Sequence, residues 1–303
     1  MSGVGAGRRF SLTRWASTGF SALALLTLLA IVSLFLWQAL PVWKLEGTGF
    51  VTREKWFYRQ DQYGAAPMIY GTLAVAAVAM ILAAPVGIGA AIYCACFLPP
   101  RLRLGFKVAI ELLAGVPSVV YGLLGILLLR DWVYVALERF DVLSGDSLLT
   151  AGILLAVMIL PTLITLADDA LYHVPLSRRL AARGLGLTCT ETILHVTLPH
   201  AWRGVLAALL LALGRACGEM IAVFLVVGRQ DNQWPEKLWS PRPLIEAGQT
   251  LSTKLGSSET NIAYGNPVHW SAIVGVGLLL LFIVTTVTII GSKVGLLGKR
   301  HET

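Results

Sequence analysis

Residues 148–167 read LLTAGILLAVMILPTLITLA, twenty positions without a charged side chain. A helix of about 20 apolar residues matches the roughly 30 Å hydrocarbon thickness of a bilayer, so this stretch predicts a membrane-spanning helix. The whole chain of 303 residues has the same character: 56% is hydrophobic, 14% is charged, and the mean hydropathy is +0.73. Soluble domains carry about a quarter charged residues. The composition therefore excludes a soluble globular protein, a disordered chain and a secreted disulfide scaffold.

Further charge-poor stretches on either side predict additional spans. They lie within residues 15–43, 62–100, 106–129, 205–227 and 270–291. The stretch 106–129 contains one acid, Glu111, and the stretch 205–227 contains Arg215 and Glu219. We therefore expect an all-α integral membrane protein with about six transmembrane helices.

Lysine and arginine are distributed unevenly over the predicted loops. With the N-terminus placed inside, the inside segments hold 13 of them against four acids, and the outside loops hold 10 against 11 acids. Because most inside segments are short, this bias predicts a multi-pass protein of the inner (cytoplasmic) membrane with both termini cytoplasmic. The net charge of +7 is then a topology signal and requires no nucleic-acid partner.

The stretch GRACGEMIAV at 214–223 places two charged side chains inside a predicted span. A charge at the bilayer centre costs about 2.5–3.5 kcal/mol, so such residues persist where they are paired or face a polar cavity. Arg215 and Glu219 are four residues apart, and on one continuous helix they would form an ion pair. One interpretation is a buried pair that only orients the helix. The other is an anion site, because the guanidinium fork matches phosphate or carboxylate oxygens.

A second candidate segment, ELLAGVPSVVYG, covers residues 111–122. Gly115 and Pro117 interrupt helix regularity, and broken helices within a membrane usually line a cavity. Ser118 and Tyr121 would supply hydroxyls there. Two alternatives stay open: Glu111 as an interfacial acid, and Pro117 as a plain kink.

The loop between the fourth and fifth predicted spans is the longest inside segment. It reads as two short helices: Pro175 opens the first, a Thr188–Glu191 capping box opens the second, and Pro199 follows the second helix. One interpretation is a hairpin on the membrane surface. The other is a docking knob whose small residues, such as Ala181 and Gly186, allow close approach of a partner.

The sequence LAARGLGLTCTETILHVTLP at 180–199 resembles the coupling motif of the permeases of ABC importers, which reads E-A-A, three residues, G, nine residues, then I-x-L-P. Leu180 departs from the motif, because the family has an acid there. The resemblance implies the core of a type I (MetI-like) importer permease with a coupling loop at 176–199. It also implies that the ATPase subunit is contacted by Ala181, Ala182, Gly186, Leu198 and Pro199.

The segments 111–122 and 214–223 are similar to signatures of the PstC type, the permease of high-affinity phosphate importers. The resemblance covers roughly residues 65–295 and implies that Arg215 and Glu219 take part in phosphate passage. It implies three kinds of partner: a second, PstA-like permease, a pair of PstB-like ATPase subunits and a periplasmic, PstS-like phosphate-binding protein. The chain contains no G-x-x-x-x-G-K-[ST] motif, so we expect no enzyme activity and no cofactor or metal in this chain, with ATP and Mg used by the ATPase.

The sequence therefore predicts three regions. Residues 1–64 form an N-terminal tail, an anchor span and an outer loop; residues 65–295 form the permease domain; residues 296–303 form a cytoplasmic tail. Aromatic residues of the outer loops 44–63 and 229–265 suit either a docking surface for the binding protein or membrane anchoring, namely Trp56, Phe57, Tyr58, Trp234 and Trp239. Alternative functions are a permease for another oxyanion (phosphonate, phosphite or sulfate), an ion-coupled secondary transporter, and a non-transporting scaffold.

Overall fold

A computed structural model describes residues 5–235 and 242–299. Within those ranges six helices are long and apolar enough to cross a membrane, which confirms the predicted all-α, six-span architecture. The spans are Thr13–Glu46, Ala66–Cys96, Ser118–Phe140, Leu148–Tyr172, Cys189–Gly218 and Pro267–Gly295. The end of the predicted C-terminal tail, residues 300–303, and the loop residue Trp239 lie outside the described residues.

The described elements follow one another as long spans joined by short helices. In chain order they are α1 (Gly5–Glu46), α2 (Gly49–Thr52), β1 (Trp56–Phe57), β2 (Gln62–Tyr63), α3 (Ala66–Cys96), α4 (Pro100–Ala114), α5 (Ser118–Leu124), a π-helical turn (Gly125–Leu129), α6 (Arg130–Leu137), α7 (Leu148–Tyr172), α8 (Leu176–Gly184), α9 (Cys189–Thr192), a second π-helical turn (Ile193–Thr197), α10 (Leu198–Gly218), α11 (Ile221–Val226), α12 (Arg242–Ile245), α13 (Leu251–Leu255), α14 (Glu259–Ala263) and α15 (Pro267–Lys299). The strands β1 and β2 form a short antiparallel hairpin.

The fourth span, α7, is the centre of the helix packing. It lies against α3, α10 and α11, and α15 packs on the outer side of α10. Small residues permit the close α3–α7 approach: a Cβ added at Gly152 would lie 2.5 Å from the Cγ1 atom of Val78, and one at Gly87 would lie 2.7 Å from Leu163. Membrane helices are held by such close packing, since lipid gives them no hydrophobic drive to associate.

The third span differs from its prediction. Residues 106–114 belong to a separate amphipathic helix, α4, and the span begins only at Ser118. Pro117 lacks an N–H group and disfavours helical geometry at the residue before it, so the chain turns at residues 115–117. Glu111 consequently lies exposed on α4, outside the span, and its predicted place within the membrane is wrong.

The fifth span also differs, at both ends. The prediction that Pro199 follows a helix is wrong, because the helix continues through it into α10. The π-helical turn allows this: the Leu198 N–H donates to the Ile193 carbonyl, five residues back, and Pro199 follows in the first turn of α10, where it needs no N–H. At the other end α10 stops at Gly218, and Glu219 has extended backbone dihedral angles (φ −71°, ψ 123°).

A buried carboxylate fixes α4 to the end of α7 that precedes the coupling loop. Asp168, with its side chain 1% exposed, lies 2.9 Å from Arg103 and 2.7 Å from Lys107. Lys107 also reaches Asp169 at 3.0 Å. Burial works against the charge of Lys107, but hydrogen bonds and charge attraction from these two carboxylates raise its pKa. The network therefore holds α4 as a helix anchored beside the span.

A second buried network, which the sequence did not reveal, closes the opposite end of the molecule. Glu259 accepts hydrogen bonds from Trp56 Nε1 at 2.6 Å and from Lys254 Nζ at 2.5 Å, and it lies 2.8 Å from His269 Nε2. Lys254 also pairs with Asp231 at 2.8 Å. The network joins the hairpin to α13, α14 and α15. Trp56 is only 2% exposed, so its predicted availability for docking is wrong.

We expect Asp168→Asn to destabilise the protein, because removing one member of a buried ion pair leaves the partner charges uncompensated, at a cost of about 3 kcal/mol. Thermal unfolding of the detergent-purified protein measures the effect. Asp169→Asn is the matched control, since its side chain is 51% exposed, and it should change the Tm much less. Equal losses in the two variants would contradict the assigned role of Asp168.

Candidate substrate path and coupling surface

Arg215 lies in the last turn of α10, and its side chain is exposed in the single chain. Its Nη1 atom donates to Thr162 Oγ1 on α7 at 3.2 Å. Among the described residues no carboxylate lies within ion-pair distance of Arg215, so the predicted pair with Glu219 is not formed. The reason is the end of the helix at Gly218, which removes Glu219 from the α10 face.

Glu219 occupies the break between α10 and α11. Its Oε1 atom lies 3.5 Å from the Ala222 N–H, at the outer limit of a hydrogen bond, and its backbone carbonyl accepts from Ser252 Oγ at 2.9 Å. Hydroxyls and carboxylates that satisfy freed backbone groups are the condition for a broken helix within a bilayer. Backbone groups at the break therefore have hydrogen-bond partners within the protein.

The two candidate segments of the sequence meet in the structure. Helix α5, which begins at Ser118, packs on α11. A Cβ added at Gly122 would lie 3.2 Å from the Cα of Ala222 and 2.5 Å from a methyl group of Leu225, so Gly122 is needed for this approach. The breaks at residues 115–117 and 219–220 thus flank one helix contact.

Tyr121 has a structural partner. Its hydroxyl donates to the Leu113 carbonyl at 3.0 Å and so satisfies one of the free carbonyls at the end of α4. Ser118 is half-buried at the start of α5. Glu111 lies on the far side of the turn from both residues, so the structure brings Ser118 and Tyr121, but not Glu111, to the start of the third span.

Thr162 is the partner that sequence reasoning missed. A hydroxyl in an apolar span is a weak signal, because threonine commonly bonds its own helix; Thr165, three residues on, donates to the Pro161 carbonyl in this way. The contact with Arg215 joins residues 53 positions apart. Only the packing of α7 against α10 shows it.

The coupling loop presents an exposed apolar surface. Leu176, Leu180 and Leu185 are 67%, 56% and 83% exposed, and Ala181 and Gly186 are exposed beside them. Exposed leucines in a cluster are typical of an interaction site.

The remaining motif residues lie deeper in the loop. Ala182 is buried, Leu198 is half-buried, and Pro199 is exposed where the loop joins α10. Arg179 donates to the Leu171 carbonyl and ties α8 to the end of α7. The loop is therefore joined directly to the fourth and fifth spans.

Backbone geometry shapes the turn after α8. Gly186 has a φ of +88°, a region that glycine adopts without steric cost. The predicted capping box is confirmed: the Thr188 N–H donates to the Glu191 carboxylate at 2.8 Å, and the Glu191 N–H donates to the Thr188 hydroxyl at 3.3 Å. The positive φ and the cap together set the angle between α8 and α9.

Comparison with solved structures supports the fold described above. The chain is similar to two inward-facing structures of the MetNI methionine ABC transporter. The first has a TM-score of 0.56 at 16% sequence identity and covers 76% of this chain and 93% of that chain. The second has a TM-score of 0.55 at 17% identity. The likeness shows that the described chain shares the helical fold of those two membrane chains.

Sequence comparison identifies the family. The family described as "Binding-protein-dependent transport system inner membrane component" matches residues 87–294, well over half of the chain. Two relatives are each 33% identical: the "Phosphate transport system permease protein PstC" of Mesorhizobium japonicum, over 92% of this chain and 88% of the relative, and that of Haemophilus influenzae, over 95% and 93%. The chain belongs to this family. It is a permease subunit of an ABC importer, a multi-pass membrane protein whose ATPase and solute-binding activities reside in partners.

We expect Gly186→Ala to weaken association with the ATPase subunit, because a side chain at φ +88° is strained by about 1 kcal/mol and changes the turn that orients α8. Co-purification of the ATPase with the permease measures this. Gly184→Ala is the matched control, since an added Cβ would meet open space at both glycines but only Gly186 has a positive φ. Equal retention of the ATPase by both variants would contradict the role of Gly186.

Proposed function

We propose that this chain is the permease subunit of an ATP-driven importer of inorganic phosphate, with Arg215 as the main anion contact. The observation that carries the proposal is the geometry of that side chain. A guanidinium lies near the end of an apolar span, exposed beside a helix break, and is held by a neutral hydroxyl. A charge in this position needs an anionic or aqueous partner. The relatives named as phosphate permeases support phosphate as that partner.

The proposed path involves the residues around the two helix breaks. Arg215 supplies planar donors that match two phosphate oxygens. Glu219, at the α10–α11 break, lowers the net positive charge, so that the anion is held weakly enough to leave. Ser118 at the start of α5 supplies a further hydroxyl. The bond from Tyr121 to Leu113 favours a role in shaping the break, and the exposed position of Glu111 on α4 favours an interfacial role.

The proposed orientation and partners follow from the coupling loop. The loop 176–199 and both termini lie in the cytoplasm, where a PstB-like ATPase dimer grips α8 and uses ATP and Mg. A PstA-like permease completes the membrane unit. A periplasmic, PstS-like binding protein delivers phosphate to the opposite face, which is formed by the hairpin and the loop after α11. ATP-driven movement of α8 is passed through Arg179 and α9 to the spans, which gives alternating access.

We expect Arg215→Gln to lower phosphate uptake at least about tenfold, because it removes charge-assisted hydrogen bonds to the anion. Labelled phosphate uptake by proteoliposomes containing the whole complex and the binding protein measures it. Arg101→Gln is the control, since it removes one exposed guanidinium on α4, away from the path. Uptake at the wild-type rate in Arg215→Gln would contradict the site. Failure of phosphate to compete with other labelled oxyanions in the wild-type complex would contradict the substrate.

We expect Glu219→Gln to reduce uptake less than Arg215→Gln, because the amide keeps an acceptor oxygen near Ala222 and the bond from Ser252 to the backbone is untouched. Uptake and the amount of folded permease are measured together. A loss of folded protein in this variant would instead assign Glu219 a purely structural role.

A further inference from the structure

A cavity of about 480 Å³ lies between α7, α10 and α15 at the coupling-loop end of the spans. Small residues line part of it and leave space between the helices, among them Gly204, Ala208 and Gly291. Its polar groups come from three elements: His173 at the end of α7, His200 and Arg203 on α10, and Ser292 on α15.

This cavity continues the helix faces that carry the Arg215–Thr162 contact. Leu211 and Leu166 line it, and each lies four residues, about one helical turn, from Arg215 and Thr162 respectively. The cavity therefore begins about one helical turn from the Arg215–Thr162 contact, on the side of the coupling loop. An anion released from Arg215 toward the side of the ATPase would pass next to this cavity.

The two imidazole rings are oriented by hydrogen bonds to backbone carbonyls. His173 Nδ1 lies 2.6 Å from the Asp169 carbonyl, and His200 Nδ1 lies 2.6 Å from the Val196 carbonyl. A carbonyl oxygen only accepts, so each Nδ1 carries the proton, and in the neutral ring each Nε2 is an acceptor. One acid, Asp169, also lines the cavity, and its carboxylate is paired with Lys107 at 3.0 Å.

We propose that this cavity is a second, exit-side binding station for hydrogen phosphate, an inference that rests on the proposed function. Arg203 donates to the charged oxygens of the anion. Nε2 of His173 or His200 accepts the proton of its P–OH group. Sulfate has no such proton at neutral pH, so the station distinguishes phosphate from sulfate as well as holding it. The proposed path then contains two stations, Arg215 and this cavity, and several weak stations favour passage.

The test uses the complete transporter in nanodiscs without nucleotide, with the four native cysteines replaced by alanine and Ser292→Cys as the probe in the cavity. We expect saturating phosphate to slow modification of this thiol by a small polar thiol reagent about tenfold, and sulfate to leave the rate unchanged. Adding Arg203→Gln should raise the phosphate concentration needed for protection about tenfold. Lys293→Cys is the matched control. Lys293 follows Ser292 in the sequence but is exposed and does not line the cavity, so a thiol there should react at the same rate with and without phosphate.

Three results would overturn the proposal: no protection by phosphate, equal protection by sulfate, or protection that depends on anionic lipid in the nanodisc and not on added phosphate. The last result would identify a lipid headgroup site. Phosphate uptake by wild-type proteoliposomes is measured in parallel. Normal uptake without protection refutes only the exit station, whereas absence of wild-type uptake refutes the proposed function itself.

In the same proteoliposomes, Arg203→Gln should lower phosphate uptake several-fold, while Lys293→Gln, which also removes one cation at this end of the spans, should not. Arg203→Lys should restore part of the uptake, because it keeps a positive donor. Full uptake in Arg203→Gln would contradict a role of the station in transport.

Discussion

The fold depends on one constraint: in hydrocarbon, every backbone N–H and C=O group must find a partner within the protein. Four of the six described spans satisfy it because each lies within one long helix, whose backbone groups bond to one another. The third and fifth spans meet it in a different way, since one is preceded by a turn at Pro117 and the other ends at a break before Met220. Tyr121, Ser252 and the Glu219 carboxylate supply partners at these points. The polar side chains at these two breaks are thus ones that the irregular backbone requires.

The same constraint explains why irregular backbone and candidate function coincide. A break that must be partnered brings hydroxyls and carboxylates to a depth where an intact helix would present only apolar side chains. Close contact between α5 and α11 then joins two breaks that are about 100 residues apart in the chain. A path for an anion needs this combination: polar groups, a fixed scaffold and a helix end that can move.

Much of the fold could be predicted from the sequence, because long apolar stretches report span number directly. The capping box at Thr188 is local and could be predicted equally well. The third span was misplaced because apolar residues lie on both sides of Pro117, so hydropathy alone does not show where the helix restarts. Pro199 was misread because a π-helical turn accommodates it.

The long-range contacts could not be predicted from one sequence. Trp56 and Glu259 are 203 positions apart, and Arg103 and Asp168 are 65 positions apart. Each contact depends on how the helices are arranged in space. Hydropathy and spacing describe single elements, so they identified Arg215 as a charge within a span and predicted Glu219, not Thr162, as its partner.

The identity of that partner bears on how the site works. An arginine paired with Glu219 would be nearly neutral, and an incoming anion would have to displace a carboxylate before it could bind. Thr162 orients the guanidinium at 3.2 Å but carries no charge, so the positive charge of Arg215 is not cancelled by its partner. In the proposed mechanism Glu219, whose carboxylate lies beside the first turn of α11, moderates the field of Arg215 without pairing with it. The proposed anion path depends on this arrangement: a hydroxyl positions Arg215, and the carboxylate that could cancel its charge lies apart from it.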